Sequence, residues 1–144
     1  MKTLRQISSI ISIILFCILS IGANQKLFAQ EEVTPELSKF VILVETTNDG
    51  IKLTNIEGSA FKELAFSLTT NKKQCVDQYG MSSVKKHKSV NDDNFANFIF
   101  KIKKTKKGIK LEGIEGTAWK NLSFSCPNGV CHQYIDQNGM TDLK

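Results

Sequence analysis

The fold is decided by the stretch FIFKIKKTKKGIKLEGIEG, residues 98–116, because residues 40–58 repeat it as FVILVETTNDGIKLTNIEG. The correspondence continues in the next segment, where AFKELAFSL aligns with AWKNLSFSC. After one inserted residue, CVDQYGM aligns with YIDQNGM. Two copies of a unit of about 43 residues therefore account for most of the chain. Features that both copies share are expected to be architectural, whereas function is expected to depend on features that only one copy has.

Each copy has the residue pattern of antiparallel β-strands. Phe98, Phe100 and Ile102 are expected on one face and Lys101 and Lys103 on the other, which is typical of a strand with one face in the core and the other in solvent. A polar turn follows, in which we expect Gly50 and its equivalent Gly108 to adopt positive φ. Further strands of copy 1 are expected over 51–56 and 64–68 and around Val76, each with an equivalent in copy 2. A one-turn helix at Ala60–Glu63, capped by Ser59, is the alternative for the segment before the third strand.

A single copy is too short to bury a stable core of its own. Two copies that pack their apolar faces together avoid this difficulty. The sequence therefore predicts an all-β fold, in which two tandem antiparallel repeats form a small sandwich or barrel of about eight strands with pseudo-two-fold symmetry.

The N-terminus resembles a secretory signal peptide. Basic residues in Met1–Gln6 precede an apolar run over Ile7–Ala23, which is shorter than the roughly 20 residues of a membrane-spanning helix. Cleavage is expected after Ala29, with cleavage after Ala23 or an uncleaved membrane anchor as alternatives. The expected organisation is a signal peptide (1–29), an N-terminal arm (30–39), β repeat 1 (40–82), a polar linker (83–97) and β repeat 2 (98–144). We expect a periplasmic or secreted protein.

Charge is distributed unevenly between the copies. Residues 40–82 contain four lysines and five carboxylates, whereas residues 98–141 contain seven lysines and three carboxylates. After cleavage the chain is close to neutral overall, so nucleic acid is not expected as a partner. Lys101 and Lys103, with the lysines of the following turn, predict a basic surface in copy 2 that contacts anionic envelope polysaccharide or lipid. The alternative is a solvated edge that deters strand addition.

Two cysteines bracket a Pro-Asn-Gly turn in copy 2. Cys126 and Cys131 are expected to form a disulfide, because the export signal implies an oxidising compartment and a tight turn brings the two Cα atoms together. With His132 they also form a CxxxxCH string, which resembles a haem attachment motif and leaves open a haem- or metal-carrying alternative. No metal or cofactor is assigned, because a lone string is weak evidence and a zinc site normally has four ligands.

Cys75 is the odd cysteine of the exported part. It is expected either to behave as a partly buried apolar residue or to form a dimer through an intermolecular disulfide. Both alternatives remain open from the sequence.

The aromatic residues Phe61 and Trp119 occupy equivalent positions. Each precedes a lysine, Lys62 or Lys120. The pattern fits either core packing or a platform that stacks on a sugar or peptide, with the lysine as a neighbouring donor. These four residues are therefore candidate ligand contacts.

Duplicated carboxylates provide an enzymatic alternative. The pairs Glu57/Asp77 and Glu115/Asp136 could support acid–base chemistry, although carboxylates next to glycine-containing turns more often have structural roles. The chain contains no recognised nucleophile, zinc-binding or phosphate-binding motif, and no catalytic residue is assigned.

The strings GTAWKNLSFS (116–125) and IDQNGM (135–140) resemble small secreted proteins of Bacteroidetes-type bacteria that carry a GTAWxxLSFS…IDxxGM pattern. Copy 1 departs from this pattern at Phe61, which replaces the tryptophan. The resemblance implies export and a shared fold but no activity. The expected function is a non-enzymatic interaction module for an unknown protein or peptide, or for envelope polysaccharide or lipid.

Overall fold

Ten β-strands form the fold described by the structure, a computed structural model covering residues 36–85 and 92–143. The strands are β1 (Val41–Thr46), β2 (Gly50–Glu57), β3 (Glu63–Ser67), β4 (Lys73–Asp77), β5 (Gly80–Ser82), β6 (Ile99–Lys104), β7 (Gly108–Glu115), β8 (Asn121–Ser125), β9 (His132–Asp136) and β10 (Gly139–Thr141), and Pro127–Gly129 forms a turn of 3₁₀ helix. No α-helix occurs within these ranges. The predicted signal peptide lies outside the described residues.

The strands form two antiparallel five-stranded sheets that pack face to face. Sheet A has the order β10-β9-β1-β2-β3, and sheet B has the order β5-β4-β6-β7-β8. The predicted all-β sandwich is confirmed, and the sheets do not close into a barrel. The expected number of eight strands was too low, because the three-residue strands β5 and β10 carry too little alternation to be seen in the sequence.

Each sheet contains strands from both copies. The last two strands of copy 1, β4 and β5, extend the sheet of copy 2 through pairing of β4 with β6. In return, β9 and β10 of copy 2 extend the sheet of copy 1 through pairing of β9 with β1. The strand predicted around Val76 and its equivalent in copy 2 are both present, but each of them pairs with the other copy. The two exchanges have equivalent registers, with Ile42 opposite Ile135 and Phe100 opposite Val76, which gives the fold its pseudo-two-fold symmetry.

The core lies between the sheets and follows the predicted alternation. Phe40 and Phe98 are fully buried with ring centroids 4.5 Å apart, and Phe98 stacks on Phe100 at 5.7 Å. Full burial of one such side chain contributes about 1.5–3 kcal/mol. The equivalent residues Val44 and Ile102 are also fully buried, so each copy contributes to one shared core.

The glycines of the two hairpins act through close packing rather than through positive φ. Gly50 begins β2 without positive φ, contrary to expectation, and a Cβ there would clash with the Phe66 carbonyl oxygen on β3. Gly108 has the same relation to Phe124. Positive φ occurs instead at Gly58 and Gly116, where the second strand of each copy ends. The segment before β3 forms neither the alternative helix nor a strand.

Candidate functional site

Three lysines lie side by side across three neighbouring strands on the outer face of sheet B. Lys73 on β4 is directly opposite Lys103 on β6, and Lys103 is directly opposite Lys110 on β7. Adjacent strands are about 4.8 Å apart, so the three lysine side chains start from neighbouring positions on one face. Like charges in directly opposite positions destabilise a sheet. This row therefore has an electrostatic cost within the fold itself.

A fourth lysine and one carboxylate occupy the next outward row. Lys101 is directly opposite Glu112, and the Lys101 ammonium donates to the Glu112 carboxylate at 3.0 Å. Lys73 donates to the same carboxylate at 2.6 Å. The hydrogen bond from Lys73, followed by that from Lys101, lowers the pKa of Glu112 to about 2, so this side chain stays ionised at any ordinary pH.

One carboxylate does not neutralise four lysines. Within the described part of the chain, Lys103 and Lys110 have no carboxylate in ion-pair range. This side of sheet B therefore has a net charge of three, from the four lysines Lys73, Lys101, Lys103 and Lys110 and the single carboxylate Glu112. We call these four lysines the basic face.

The equivalent surface of sheet A has a different charge pattern. The corresponding row runs from His132 on β9 through Glu45 on β1 to Lys52 on β2. Glu45 accepts from Lys52 at 3.0 Å and lies 3.3 Å from His132, and the hydrogen bond from Lys52 is the main reason that the pKa of Glu45 is lowered. A carboxylate thus occupies the centre of this row, where sheet B has Lys103. The same arrangement of strands can therefore hold a row in which opposite charges alternate, but sheet B has three lysines in these positions.

Small polar residues surround the basic face. The other outward positions of these two rows are Ser82, Cys75, Asn121 and Ser123. None of them is aromatic or bulky and aliphatic. The outward positions of these two rows are consequently mostly polar, and their main property is positive charge.

The structure brings together part of the predicted lysine surface. Lys101 and Lys103 both lie on the basic face, on either side of the buried Ile102. Lys104 points away from it and donates to the Thr47 carbonyl oxygen at 3.2 Å. The two lysines of the following turn, Lys106 and Lys107, are exposed beyond the end of β6.

Sequence reasoning missed Lys73, Lys110 and Glu112. Lys73 belongs to copy 1, and it reaches this surface only because β4 pairs with β6 of the other copy. The alternation in β7 could have placed Lys110 outward, since Ile109 and Leu111 on either side are buried.

The aromatic candidates differ in their exposure. Trp119 is 8 % exposed, packs on Phe100 at 6.0 Å and donates its indole N–H to the Asp136 carbonyl oxygen at 2.9 Å. Phe61 is half-buried against the same core, and Lys62 and Lys120 are exposed. Because Trp119 is almost fully buried, a stacking platform formed by its whole ring face is not present.

The predicted disulfide is observed. Cys126 and Cys131 are bonded across the 3₁₀ turn, with their Cα atoms 4.6 Å apart. Because both sulfur atoms are in this bond, neither is a free thiol that could attach a haem. The neighbouring His132 lies beside Glu45 and against the edge of Tyr134. No cluster of three or more potential metal ligands occurs in residues 36–85 and 92–143.

Cys75 is a free, half-buried thiol on the outer face of sheet B. It lies directly opposite Lys101 on one side and Ser82 on the other. From the sequence we predicted that Cys75 either packs as an apolar residue or forms a dimer contact, and both remain predictions.

The two duplicated aspartates accept hydrogen bonds within turns. Asp77 accepts backbone N–H groups from Tyr79 and Gly80, and Asp136 accepts those of the equivalent turn. Because of the strand exchange, Glu57 and Asp77 lie on different sheets, as do Glu115 and Asp136. The pairs considered from the sequence are therefore not adjacent on a sheet.

Comparisons with known proteins provide no assignment. No family model, curated protein or solved structure matches the chain. Within the described ranges, no helix has the length and hydrophobicity needed to cross a membrane.

Proposed function

We propose that this protein is an exported, non-enzymatic binding module whose basic face holds an anionic polysaccharide. The observation that carries the proposal is the row Lys73–Lys103–Lys110, which places like charges directly opposite one another. Residues that break the rules of stable sheet design are typical of functional sites, because binding compensates for their local cost. A bound polyanion would remove the repulsion in this row.

The chemistry of the surface favours a polysaccharide over the other polyanions. A membrane-binding surface combines lysines with apolar or aromatic residues that enter the lipid, and sites for single-stranded nucleic acid combine them with aromatic rings that stack on bases. The two rows of the basic face have neither type of residue, and the exposed Ile114 lies outside these rows, in a cavity beside the face. Lysine provides a compact charge that suits separate sulfate or carboxylate groups along a sugar chain.

Export is part of the proposal and rests on two features. The N-terminal sequence up to Ala29 has the charge and hydrophobicity of a signal peptide. The disulfide between Cys126 and Cys131 is of a kind that persists in oxidising compartments. The resemblance to small secreted proteins of Bacteroidetes-type bacteria agrees with both features and supports the periplasm or the extracellular space as the location.

The proposal is tested by binding of residues 30–144 to dextran sulfate, with uncharged dextran as the comparison, at low and moderate salt. We expect binding to dextran sulfate alone. Replacing Lys103 and Lys110 together by alanine should weaken it, since each exposed ion pair contributes about 0.2–1 kcal/mol and two therefore correspond to roughly 2- to 30-fold in Kd.

The matched control is Lys52→Ala, at the position equivalent to Lys110 on sheet A. This variant should bind like the unmodified protein. The proposal is wrong if the unmodified protein binds dextran and dextran sulfate equally, or if Lys52→Ala weakens binding as much as the variant of the basic face does.

A further inference from the structure

A cavity of about 460 Å³ lies beside the basic face, where β7 approaches the beginning of β8. Glu112 and Asn121, which are directly opposite each other on these strands, line it on the side of the lysines. Glu112 is the carboxylate that both Lys73 and Lys101 contact. The cavity is therefore continuous with the proposed binding surface, and its volume is within the range of small-molecule sites.

The lining of the cavity offers both apolar and hydrogen-bonding groups. Ile114 is 40 % exposed, and the largely buried Trp119 also lines the cavity. Lys120 and Asn121 provide donors, and the Glu112 carboxylate, held in place by two lysines, provides a fixed acceptor. A sugar ring has an apolar C–H surface together with hydroxyl groups that both donate and accept. A carboxylate in the wall favours hydroxyl donors and repels sulfate or phosphate groups.

The lining is specific to copy 2. Of its seven residues, Ile114 and Lys120 are shared with copy 1 as Ile56 and Lys62. The other five are replaced in copy 1: Glu112 by Thr54, Gly113 by Asn55, Thr117 by Ser59, Trp119 by Phe61 and Asn121 by Glu63. These replacements give copy 2 a combination of lining residues that copy 1 lacks, next to the basic face.

The hydrogen bonds in the loop that leads to this cavity also differ between the two copies. In copy 1 the Asn55 amide exchanges two hydrogen bonds with the backbone of Ser59, both of 3.2 Å. In copy 2 Gly113 has no side chain, and the Thr117 hydroxyl donates instead to the Trp119 carbonyl oxygen at 2.8 Å. A Cβ at Gly113 would clash with this hydroxyl and with that carbonyl oxygen. Gly113 therefore allows the arrangement that places Trp119 at the cavity.

We propose that this cavity is a subsite for one sugar ring of the anionic polysaccharide, with Glu112 and Asn121 as hydrogen-bonding partners of its hydroxyl groups and Ile114 as an apolar contact. This inference rests on the proposed function. It adds that the protein distinguishes a sugar polymer from a polyanion without sugar rings, because only the former can use the cavity while its charged groups contact the lysines.

The test compares two polyanions, inorganic polyphosphate and a dextran sulfate of low sulfate content, many of whose rings keep their hydroxyl groups free for the cavity. Ile114→Ala combined with Asn121→Ala should weaken binding of dextran sulfate about three- to ten-fold, which is the effect of one lost neutral hydrogen bond. Binding of polyphosphate should not change. Ile56→Ala, at the equivalent exposed position of copy 1, is the control and should leave both affinities unchanged. Ile114 and Asn121 are both exposed, so the fold should tolerate these changes.

Fluorescence provides a second readout, because Trp119 is the only tryptophan in the chain. Dextran sulfate should change its emission, polyphosphate should not, and the double variant should lose the response. The inference is overturned if the double variant weakens both polymers equally or neither, or if both polymers change the emission alike. If Lys103→Ala with Lys110→Ala leaves the affinity for dextran sulfate unchanged, the proposed function itself has failed.

Discussion

Replacing Lys103 by glutamate should make the protein more stable while it impairs binding. Lys103 is the centre of the row, with Lys73 opposite on one side and Lys110 on the other. The substitution gives sheet B the charge pattern that sheet A already has, where Glu45 lies between His132 and Lys52. The contact with Lys110 thereby becomes favourable. The contact with Lys73 improves by less, because Lys73 is already paired with Glu112.

The expected gain follows from the number of these contacts. One cross-strand pair of opposite charge contributes about 0.2–1 kcal/mol, and like charges have a comparable cost. The new carboxylate is also diagonal to Glu112, which reduces the gain. We therefore expect the free energy of unfolding to rise by about 0.5–2 kcal/mol, which corresponds to an increase of about 2–10 °C in Tm for a domain of this size.

Urea unfolding at about 20 mM and about 500 mM ionic strength measures this effect, since urea does not screen charge and salt does. The gain should be present at low salt and largely disappear at high salt, and the affinity for dextran sulfate should fall. Glu45→Lys is the mirror control, and it should destabilise the protein because it breaks the 3.0 Å pair with Lys52. If Lys103→Glu leaves stability unchanged or lowers it at low salt, the lysine row has no electrostatic cost and the reasoning is refuted.

Three further predictions concern pH, the disulfide and the strand exchange. The pKa of Glu112 is lowered from its ordinary value of 4.5 to about 2, so its ionised form stabilises the fold fully above pH 4.5, and this stability is lost as the pH falls through about 2. In an acid titration, the difference in unfolding free energy between Glu112→Gln and the unmodified protein should therefore vanish near pH 2. Replacing Cys126 and Cys131 by serine should lower the free energy of unfolding by about 2 kcal/mol, the loop-closure value for so short a loop, and leave binding of dextran sulfate unchanged. A protease site introduced within 86–91 should yield two fragments that co-elute in gel filtration, because the pairing of β4 with β6 and of β1 with β9 holds them together. The fragments should separate only in denaturant. Separation without denaturant would contradict the exchanged topology.

The sequence predicted the type of fold because its strands alternate clearly. Phe98, Phe100 and Ile102 occupy the core as their spacing indicates, and the repeat transfers the same interpretation to copy 1. Strand partners were not predictable in the same way. A strand such as β4 shows the same alternation whether it pairs with β1 or with β6, so its pattern does not indicate which copy it extends.

The candidate site was predictable only where it lies on one strand. Lys101 and Lys103 share a face because residues two apart on a strand do so. Lys73 is 28 residues earlier in the chain than Lys101, and only the pairing of β4 with β6 brings it to the same surface. The cavity at Glu112 and Asn121 likewise depends on the register between β7 and β8, which the spacing of residues along a single strand does not determine.

The most direct test of the central claim is an NMR titration of residues 30–144 with a short sulfated oligosaccharide. The account predicts that the backbone amides of β4, β6 and β7 shift together, and that the amides of the equivalent row on β1, β2 and β9 do not. Shifts confined to sheet A, or the absence of any shift at concentrations that saturate binding of the polymer, would contradict the assignment of the basic face as the binding surface.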